Sequence, residues 1–517
     1  MIRNRIAAVV ALVLATGVVA DAQINLKGLK EKAENAAKKS VESVTGTGNN
    51  TGNNSQSSSV ANAVKSAASS AIPAGKGKTF YVSVSTGSAR ADGLSASTPM
   101  KDLQKAIDTA EDNDVIYVAE GNYLGNLDRG YIESGRFGNA TQEKDRGKFI
   151  SIYGGYSPDF SERNIIKYVT KLQPKEQTFI APLMNINARR PNGYTGPEGN
   201  VVIDGLVFDF GENNLYCVAN VDLEITGTPN EGVLTGRFVE PGANPNCPKE
   251  GYANGDEYGL HMDVEGNVRI SNCIFVNCRD YGISALMGKG HMEICNNIFI
   301  SCRYSACQVK GNVKDADIPL VSLDFHHNPV LFTWTRTKAF EDMGQGFRFM
   351  NGIRTINVHN NIFGCNSNCA VERVYYESNA AMEKEKISNL YDNYYFANRR
   401  DLEIASSGAA SISVPAARIE EAEQIGPKYE GNMEMPENED FINAIDKSYL
   451  EGFMNLTIIS SQSYNANSAA NQVNRIFGLN QQGTETVRPS MYCNKYPWEK
   501  AKDLFGKVNN YGAQMPK

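Results

Sequence analysis

Apolar positions along this chain keep different rhythms in different stretches, and the changes divide it. After Arg3 and Arg5 comes an unbroken apolar run, Ile6 to Val19, which ends at the small-residue triplet Ala20-Asp21-Ala22. From Leu26 the spacing turns helical. Leu26, Leu29, Ala33, Ala36, Ala37, Val41 and Val44 recur among lysines and glutamates and predict one amphipathic helix. A Gly/Asn/Thr/Ser stretch from Gly46 to Ser59 follows, then a weakly helical run from Val60 to Ala71. At Phe80 the pattern becomes strand-like with Phe80-Tyr81-Val82-Ser83-Val84. Thr98-Pro99 then offers an N-cap and a first-turn proline, and Met100, Leu103, Ile107 and Ala110 place one apolar face on a short helix. Asp112-Asn113-Asp114 breaks that helix before the strand Val115 to Val118.

Beyond this point short apolar runs repeat. The segments Ile270 to Val276, Ile294 to Ile300, Val358 to Gly364 and Ser388 to Ala397 each carry Asn three residues before a phenylalanine: Phe275, Phe299, Phe363 and Phe396. Weaker copies end at Phe208 and Phe332, and the six anchors are spaced by 67, 24, 33, 31 and 33 residues. Short strands with Asn/Gly turns at this period are the pattern of stacked β-coils, none of which buries its apolar face alone. Asparagine suits the bends because it tolerates left-handed backbone angles. The 67-residue gap accommodates one or two coils plus the Gly/Asn/Pro-rich loop from Thr226 to Glu257. After about Val414 the repeat is lost. The remainder reads as a cap over the open carboxyl end of the coil, where a final rung would otherwise leave unpaired backbone groups; a separate binding domain is the alternative.

The series from Phe80 to Tyr123, FYVSVSTGSARADGLSASTPMKDLQKAIDTAEDNDVIYVAEGNY, resembles the amino-terminal cap of secreted pectin-lyase-like right-handed parallel β-helix proteins, in which a helix plugs the open coil. The phrase FISIYGGYSPDFSERN, Phe149 to Asn164, is similar to a Gly-Gly-aromatic first-coil segment of such proteins in Gram-negative bacteria. The resemblance implies an all-β solenoid, a right-handed parallel β-helix with an amino-terminal capping helix, over residues 79–413; the residue patterning adds a signal peptide at 1–22, an amphipathic helix and flexible linker or envelope tether at 23–78, and a capping region at 414–517.

The amino-terminal run fits a signal peptide cleaved before Gln23, which places the mature protein in the periplasm, on the outer-membrane surface or outside the cell. It is too short and too polar at its carboxyl flank for a transmembrane anchor, and no later run spans a bilayer. The first cysteine is Cys217, so a lipidated amino terminus has no support. The formal charge is −7, or −8 once Arg3, Arg5 and Asp21 leave with the signal, which disfavours a nucleic-acid partner. Seven of the ten cysteines lie between Cys273 and Cys369 at repeat-like positions. Export permits disulfides, so either a stacked internal cysteine column or one or two bridges between neighbouring rungs fits the spacing.

Four residues after the anchors stand Arg279, Arg303, Arg336 and Arg400, with Ser367 interrupting. If each anchor marks one coil, these arginines line up about 4.8 Å apart as a basic stripe for an anionic polysaccharide; solvated turn arginines paired with Asp280 and Asp401 are the alternative. Asp256, Glu257, Asp263 and Glu265 form an acidic set able to hold Ca2+, as many β-helix lyases do, or an ordinary acidic loop. The five histidines, His261, His291, His326, His327 and His359, fall at different offsets from the anchors, so they predict no ladder and no metal triad. Pectin hydrolases of similar architecture need an Asp-Asp pair and Gly-His-Gly; the coils hold only Gly290-His291-Met292. A lyase base would be Lys310, Arg336 or Lys338, and no motif singles one out. Asp108-Thr109-Ala110 resembles a short bacterial O-glycosylation signal. Fold alone does not license an activity. The leading expectation is therefore an exported, non-catalytic envelope β-helix that binds glycan or an envelope protein. A lyase or hydrolase acting on an acidic polysaccharide, and a structural component of an envelope complex, are the alternatives.

Overall fold

The computed structural model describes residues 72–125, 148–174, 182–189, 199–211, 258–278, 280–311, 321–333, 344–350, 352–366, 368–375, 386–406, 412–422, 428–436, 438–447, 449 and 496–516. The signal-peptide and amphipathic-helix expectations, the linker up to residue 71, and the loop from Thr226 to Glu257 lie outside them.

The strands stack in register on three faces. Face one runs through Thr79–Val82, Val115–Ala119, Ser151–Tyr156, Asn200–Asp204, Asn267–Ser271, the second half of Tyr281–Cys295, Val321–His326, Ile353–His359 and Ile387–Tyr391. Face two runs through Gly121–Gly125, Thr170–Pro174, Leu206–Asp209, Ile274–Val276, Ile298–Ile300, Pro329–Leu331, Ile362–Gly364, Tyr394–Phe396 and Met433–Glu434. Face three runs through Met184–Ala188, Leu260–Glu265, the first half of Tyr281–Cys295, Ser305–Gly311, Gln345–Phe349, Cys369–Tyr375 and Leu402–Ser406. All these pairings are parallel. This is a right-handed parallel β-helix, the hand that twisted parallel strands impose on their crossovers.

Two sharp corners explain the Asn-rich repeat. Between faces one and two, Asn272, Asn296, His327, Asn360 and Asp392 take left-handed backbone angles, with φ between 51° and 59°. Between faces two and three, Asn277, Ser301, Phe332, Cys365 and Ala397 do the same, with φ between 48° and 56°. Just after the first corner a second asparagine turns inward. Asn297, Asn328, Asn361 and Asn393 are wholly buried, each accepting from the backbone N–H and donating to a backbone carbonyl of the preceding coil. This ladder satisfies amides that the corner withdraws from the sheet. Inside the coil the rings of Phe208, Phe275, Phe299, Phe325, Phe363 and Tyr395 follow one another at 4.7 to 6.3 Å. Cys273, Cys278, Cys295, Cys302, Cys307, Cys365 and Cys369 are buried and unbridged; they do not form one internal column, since Cys295 is level with Ser271 and His326, Cys307 with Phe347 and Cys369 with Gln345.

Register corrects two expectations about the anchors. Val330, not Phe332, is level with Phe299 and Phe363, and Tyr395, not Phe396, is level with Phe363. Phe332 belongs to the corner.

The described chain is already docked before Lys78: Gly75 N donates to Ser151 Oγ, Gly77 N to Asn113 O, and Ile72 is buried. The helix spans Leu103–Thr109, with Asp102 rather than Thr98 as its N-cap, because Met100 is held in a bridge to Val82. Leu103, Ala106 and Ile107 join the interior core. At the other end Ile412–Val414 pairs antiparallel with Leu402–Ser406, and Val414, Ala416 and Ile419 complete that core.

The described carboxyl-terminal residues, 496–516, are not placed over the coil end. They pack on the outer side of face two, against Val207, Ile274, Val276, Ile298, Ile300, Leu331 and Ile362. Tyr496 exchanges hydrogen bonds with the Asn277 amide, and Gln514 with that of Asn296. The physical reason is that face-two strands are apolar on both sides, so both sides need cover.

Candidate functional site

Face one presents its alternate side chains outward in rows set by register. One row, in coil order, is Tyr81, Tyr117, Tyr153, Asp204, Ser271, Cys295, His326, His359 and Tyr391. Beside it runs Val202, Arg269, Glu293, Asp324, Asn357 and Asn389. The first row begins as a half-exposed aromatic strip. Tyr81 meets Tyr117 edge-on at 5.8 Å and Phe160 at 5.1 Å, and Tyr117 stacks on Tyr156 at 4.5 Å. Arg163 closes the strip, its guanidinium 5.3 Å from the Tyr153 ring centre and 5.7 Å from that of Tyr156. Burial and the neighbouring phenol push Tyr156 well above the ordinary tyrosine range. Arg163 is also paired with Asp204, which accepts from Ser271 Oγ at 2.5 Å and Asn272 Nδ2 at 2.7 Å.

The strip leads into a compact titratable cluster. Glu293 is 5% exposed. Its Oε2 lies 3.4 Å from Arg269 Nε and its Oε1 3.4 Å from His326 Nε2. Burial opposes its ionisation, but His326 and Arg269 outweigh it and hold the carboxyl below the ordinary glutamate range. Burial, with the Glu293 charge, pushes the Cys295 thiol up to about 12, and the thiol shares a hydrogen bond with Arg269. His326 Nδ1 is 2.8 Å from His327 Nδ1. The His326 ring stacks on His359 at 4.9 Å, which stacks on Tyr391 at 4.8 Å. Burial and its two histidine neighbours lower His327 to about 4; burial lowers His359 as well. On the outer flank His291 Nδ1 and Ser322 Oγ are 2.8 Å apart, and Asp324 accepts from Asn357 Nδ2 at 2.6 Å. This arrangement can stack sugar rings at one end and move a proton or hold a cation at the other.

The stacked histidines correct the expectation that no ladder exists. Counted from Val330 instead of Phe332, His326 stands four residues before its coil's repeat position. Cys295, His359 and Tyr391 do the same before Phe299, Phe363 and Tyr395. The signal was in the sequence, hidden by one misplaced anchor.

The arginine stripe meets the same error, since equal offsets from unequal anchors do not stack. Arg303 is 1% exposed, with its guanidinium 4.9 Å from the Tyr304 ring centre, so it is no part of an exposed stripe. Arg400 donates to Asn368 Oδ1 at 3.1 Å and Glu403 Oε2 at 3.0 Å. Arg279 and Arg336 lie outside the described residues, as do Asp256, Glu257 and Lys338. Asp263 is held by Arg189 Nε at 2.6 Å, and among the described residues neither Asp263 nor Glu265 joins a group of three metal-ligating side chains. Lys310 is exposed on face three, away from the cluster. Face three carries its own outward row, Gln308, Arg348, Glu372 and Glu403. Arg348 pairs with Glu372, whose carboxyl burial raises, an effect that Glu403 reinforces. Among the described residues no helix is long and apolar enough to cross a membrane.

No family model and no curated protein matches the sequence. Among solved structures, XylC in complex with xylose is 12% identical with a TM-score of 0.32, over 63% of this chain and 63% of that one. The crystal structure of pectate lyase Pel9A is 12% identical with a TM-score of 0.27, over 81% of this chain and 90% of that one.

Proposed function

We propose that this protein is an exported envelope β-helix that binds a polysaccharide along the outer side of face one. The observation that carries the reading is the row of half-exposed rings at coil spacing that opens face one, Tyr81, Tyr117 and Tyr153, resumed past the buried Asp204, Ser271 and Cys295 by His326, His359 and Tyr391. Tyrosine offers an apolar face to a sugar ring and a hydroxyl to its rim, at small entropic cost because the strand backbone is fixed. Arg163 and Arg269 are each neutralised by a carboxylate, so the face favours hydroxyl-rich sugars as much as acidic ones. Affinity electrophoresis against a panel of neutral and uronic-acid polysaccharides tests it. Tyr117→Ala together with Tyr156→Ala should weaken retardation by at least about 10-fold, the loss expected when two stacking contacts go. Retardation equal to that of the parent, or none with any polysaccharide, would sink the reading.

A second reading, cleavage of a polysaccharide on face three instead of binding on face one, draws on Glu372 and Glu403. They face each other in register on adjacent coils, with Glu372 held above the ordinary range. A raised acid beside a second carboxylate is a pairing that glycoside hydrolysis uses. Reducing-end release from the same panel, abolished by Glu372→Gln, would favour it over simple binding.

A further inference from the structure

Glu293, Cys295 and His326 place a carboxylate, a thiol and an imidazole nitrogen within 4.8 Å of one another on two adjacent coils of face one. We infer that these three side chains form a binding site for a divalent transition-metal ion of the zinc class. The inference is independent of polysaccharide binding.

The donor set comes first. Mixed sulfur, nitrogen and oxygen ligands suit a borderline-soft ion and are a poor match for Ca2+ or Mg2+, which take oxygen. Spacing agrees. Tetrahedral zinc with oxygen and nitrogen ligands at their usual bond lengths separates those atoms by about 3.3–3.5 Å. Glu293 Oε1 and His326 Nε2 are 3.4 Å apart. Cys295 Sγ reaches the third corner from the strand position level with His326.

Orientation of the imidazole is the stronger argument. His326 Nδ1 and His327 Nδ1 are 2.8 Å apart, a distance at which one proton must lie between them. With that proton on His326, its Nε2 turns a lone pair towards Glu293 Oε1. In that tautomer two acceptors face each other and a cation between them satisfies both; with the proton on His327 instead, His326 Nε2 donates to Glu293. A metal-bound histidine has this environment, its distal nitrogen donating to a fixed acceptor. The stack on His359, itself stacked on Tyr391, holds the ring plane. Arg269 approaches the other carboxylate oxygen, Oε2. It also hydrogen-bonds the sulfur and would compensate a thiolate.

Binding balances simply. The hydrated ion gives up all its waters but one, the Cys295 S–H bond breaks with its proton passing to solvent, and three protein–metal bonds form. The fourth position keeps a water on the solvent side, where the His326 side chain is 19% exposed. The competing occupant is a proton on His326 Nε2, which would make an ordinary hydrogen bond to Glu293.

Titration of the metal-free full chain with Co2+ separates the two. One equivalent should give the intense visible bands of tetrahedral cobalt and a sulfur-to-cobalt charge-transfer band, both bleached by Zn2+ and unaffected by excess Ca2+. Cys295→Ser should lose the charge-transfer band. Glu293→Gln and His326→Gln should weaken binding by more than about 100-fold, and His327→Phe by about 10-fold, with circular dichroism unchanged. X-ray absorption of the zinc-loaded parent needs no variant and should show one sulfur among nitrogen and oxygen neighbours. Absence of the bands, a charge-transfer band that survives Cys295→Ser, displacement by Ca2+, or a zinc shell without sulfur would each overturn the site.

Discussion

Replacing Asn361 by alanine tests the claim that the inner asparagine ladder, more than the corner angles, holds the coils together. Asn361 is wholly buried. Its Oδ1 accepts from Asn328 N at 3.0 Å and Asn328 Nδ2 at 3.1 Å, and its Nδ2 donates to Phe325 O at 3.0 Å and Asn393 Oδ1 at 2.9 Å. Truncation orphans the buried Asn328 amide, at about 1–3 kcal/mol for an unsatisfied group, and removes partners from Asn328 and Asn393. With the small cavity left behind, the loss should reach about 3–5 kcal/mol, in the range reserved for broken buried networks. Asn357→Ala is the control. Asn357 belongs to an outer ladder, donating to Asp324 Oδ1 and accepting from Asn389 Nδ2, but it is half-exposed, so water replaces its partners and the cost should stay below about 1 kcal/mol. Urea unfolding followed by far-UV circular dichroism, with hydrogen exchange at the Asn328 amide, measures both. Equal midpoint shifts for the two variants, or undiminished protection of the Asn328 amide in Asn361→Ala, would refute the reasoning.

Two further outcomes are expected. Burial raises the Asp401 carboxyl, which nevertheless accepts from Ala416 N at 2.9 Å. A carboxyl with a raised folded pKa contributes stability that is complete below its unfolded pKa and is lost as pH rises through the folded value. Asp401→Asn should therefore gain stability relative to the parent between pH 4 and neutrality, and a difference constant across that window in urea midpoints would contradict it. Removing Tyr496–Lys517 should uncover the outer side of face two around Ile274, Val276, Ile298 and Ile300. Such an apolar surface should bind a hydrophobic dye and promote association, so unchanged dye fluorescence and sedimentation would show that other residues cover it.

The solenoid was legible because the period of its apolar runs follows from elementary geometry: strands too short to bury their faces alone must stack. The runs Ile274-Phe275-Val276 and Ile298-Phe299-Ile300 also carried the news that face two is buried on both sides, since an unbroken apolar run has no solvent side. The sequence could not say that residues 496–516 supply the cover, because such packing joins positions more than two hundred apart, as between Asn277 and Tyr496.

What the sequence determined by itself is the kind of coil and the placing of asparagine at its corners. The sites were a matter of register, and register is decided only when strands pair in three dimensions. Loop lengths differ from coil to coil, and a shift of two residues at Phe332 gave Arg336 an offset unlike those of Arg279 and Arg303 and moved His326 out of a true row. Because alternate residues of a strand face opposite ways, an error of one or two positions changes either the face or the neighbour of every side chain that follows. The juxtaposition of Glu293 and Cys295, two apart on one strand, with His326 on the next coil is settled by that register.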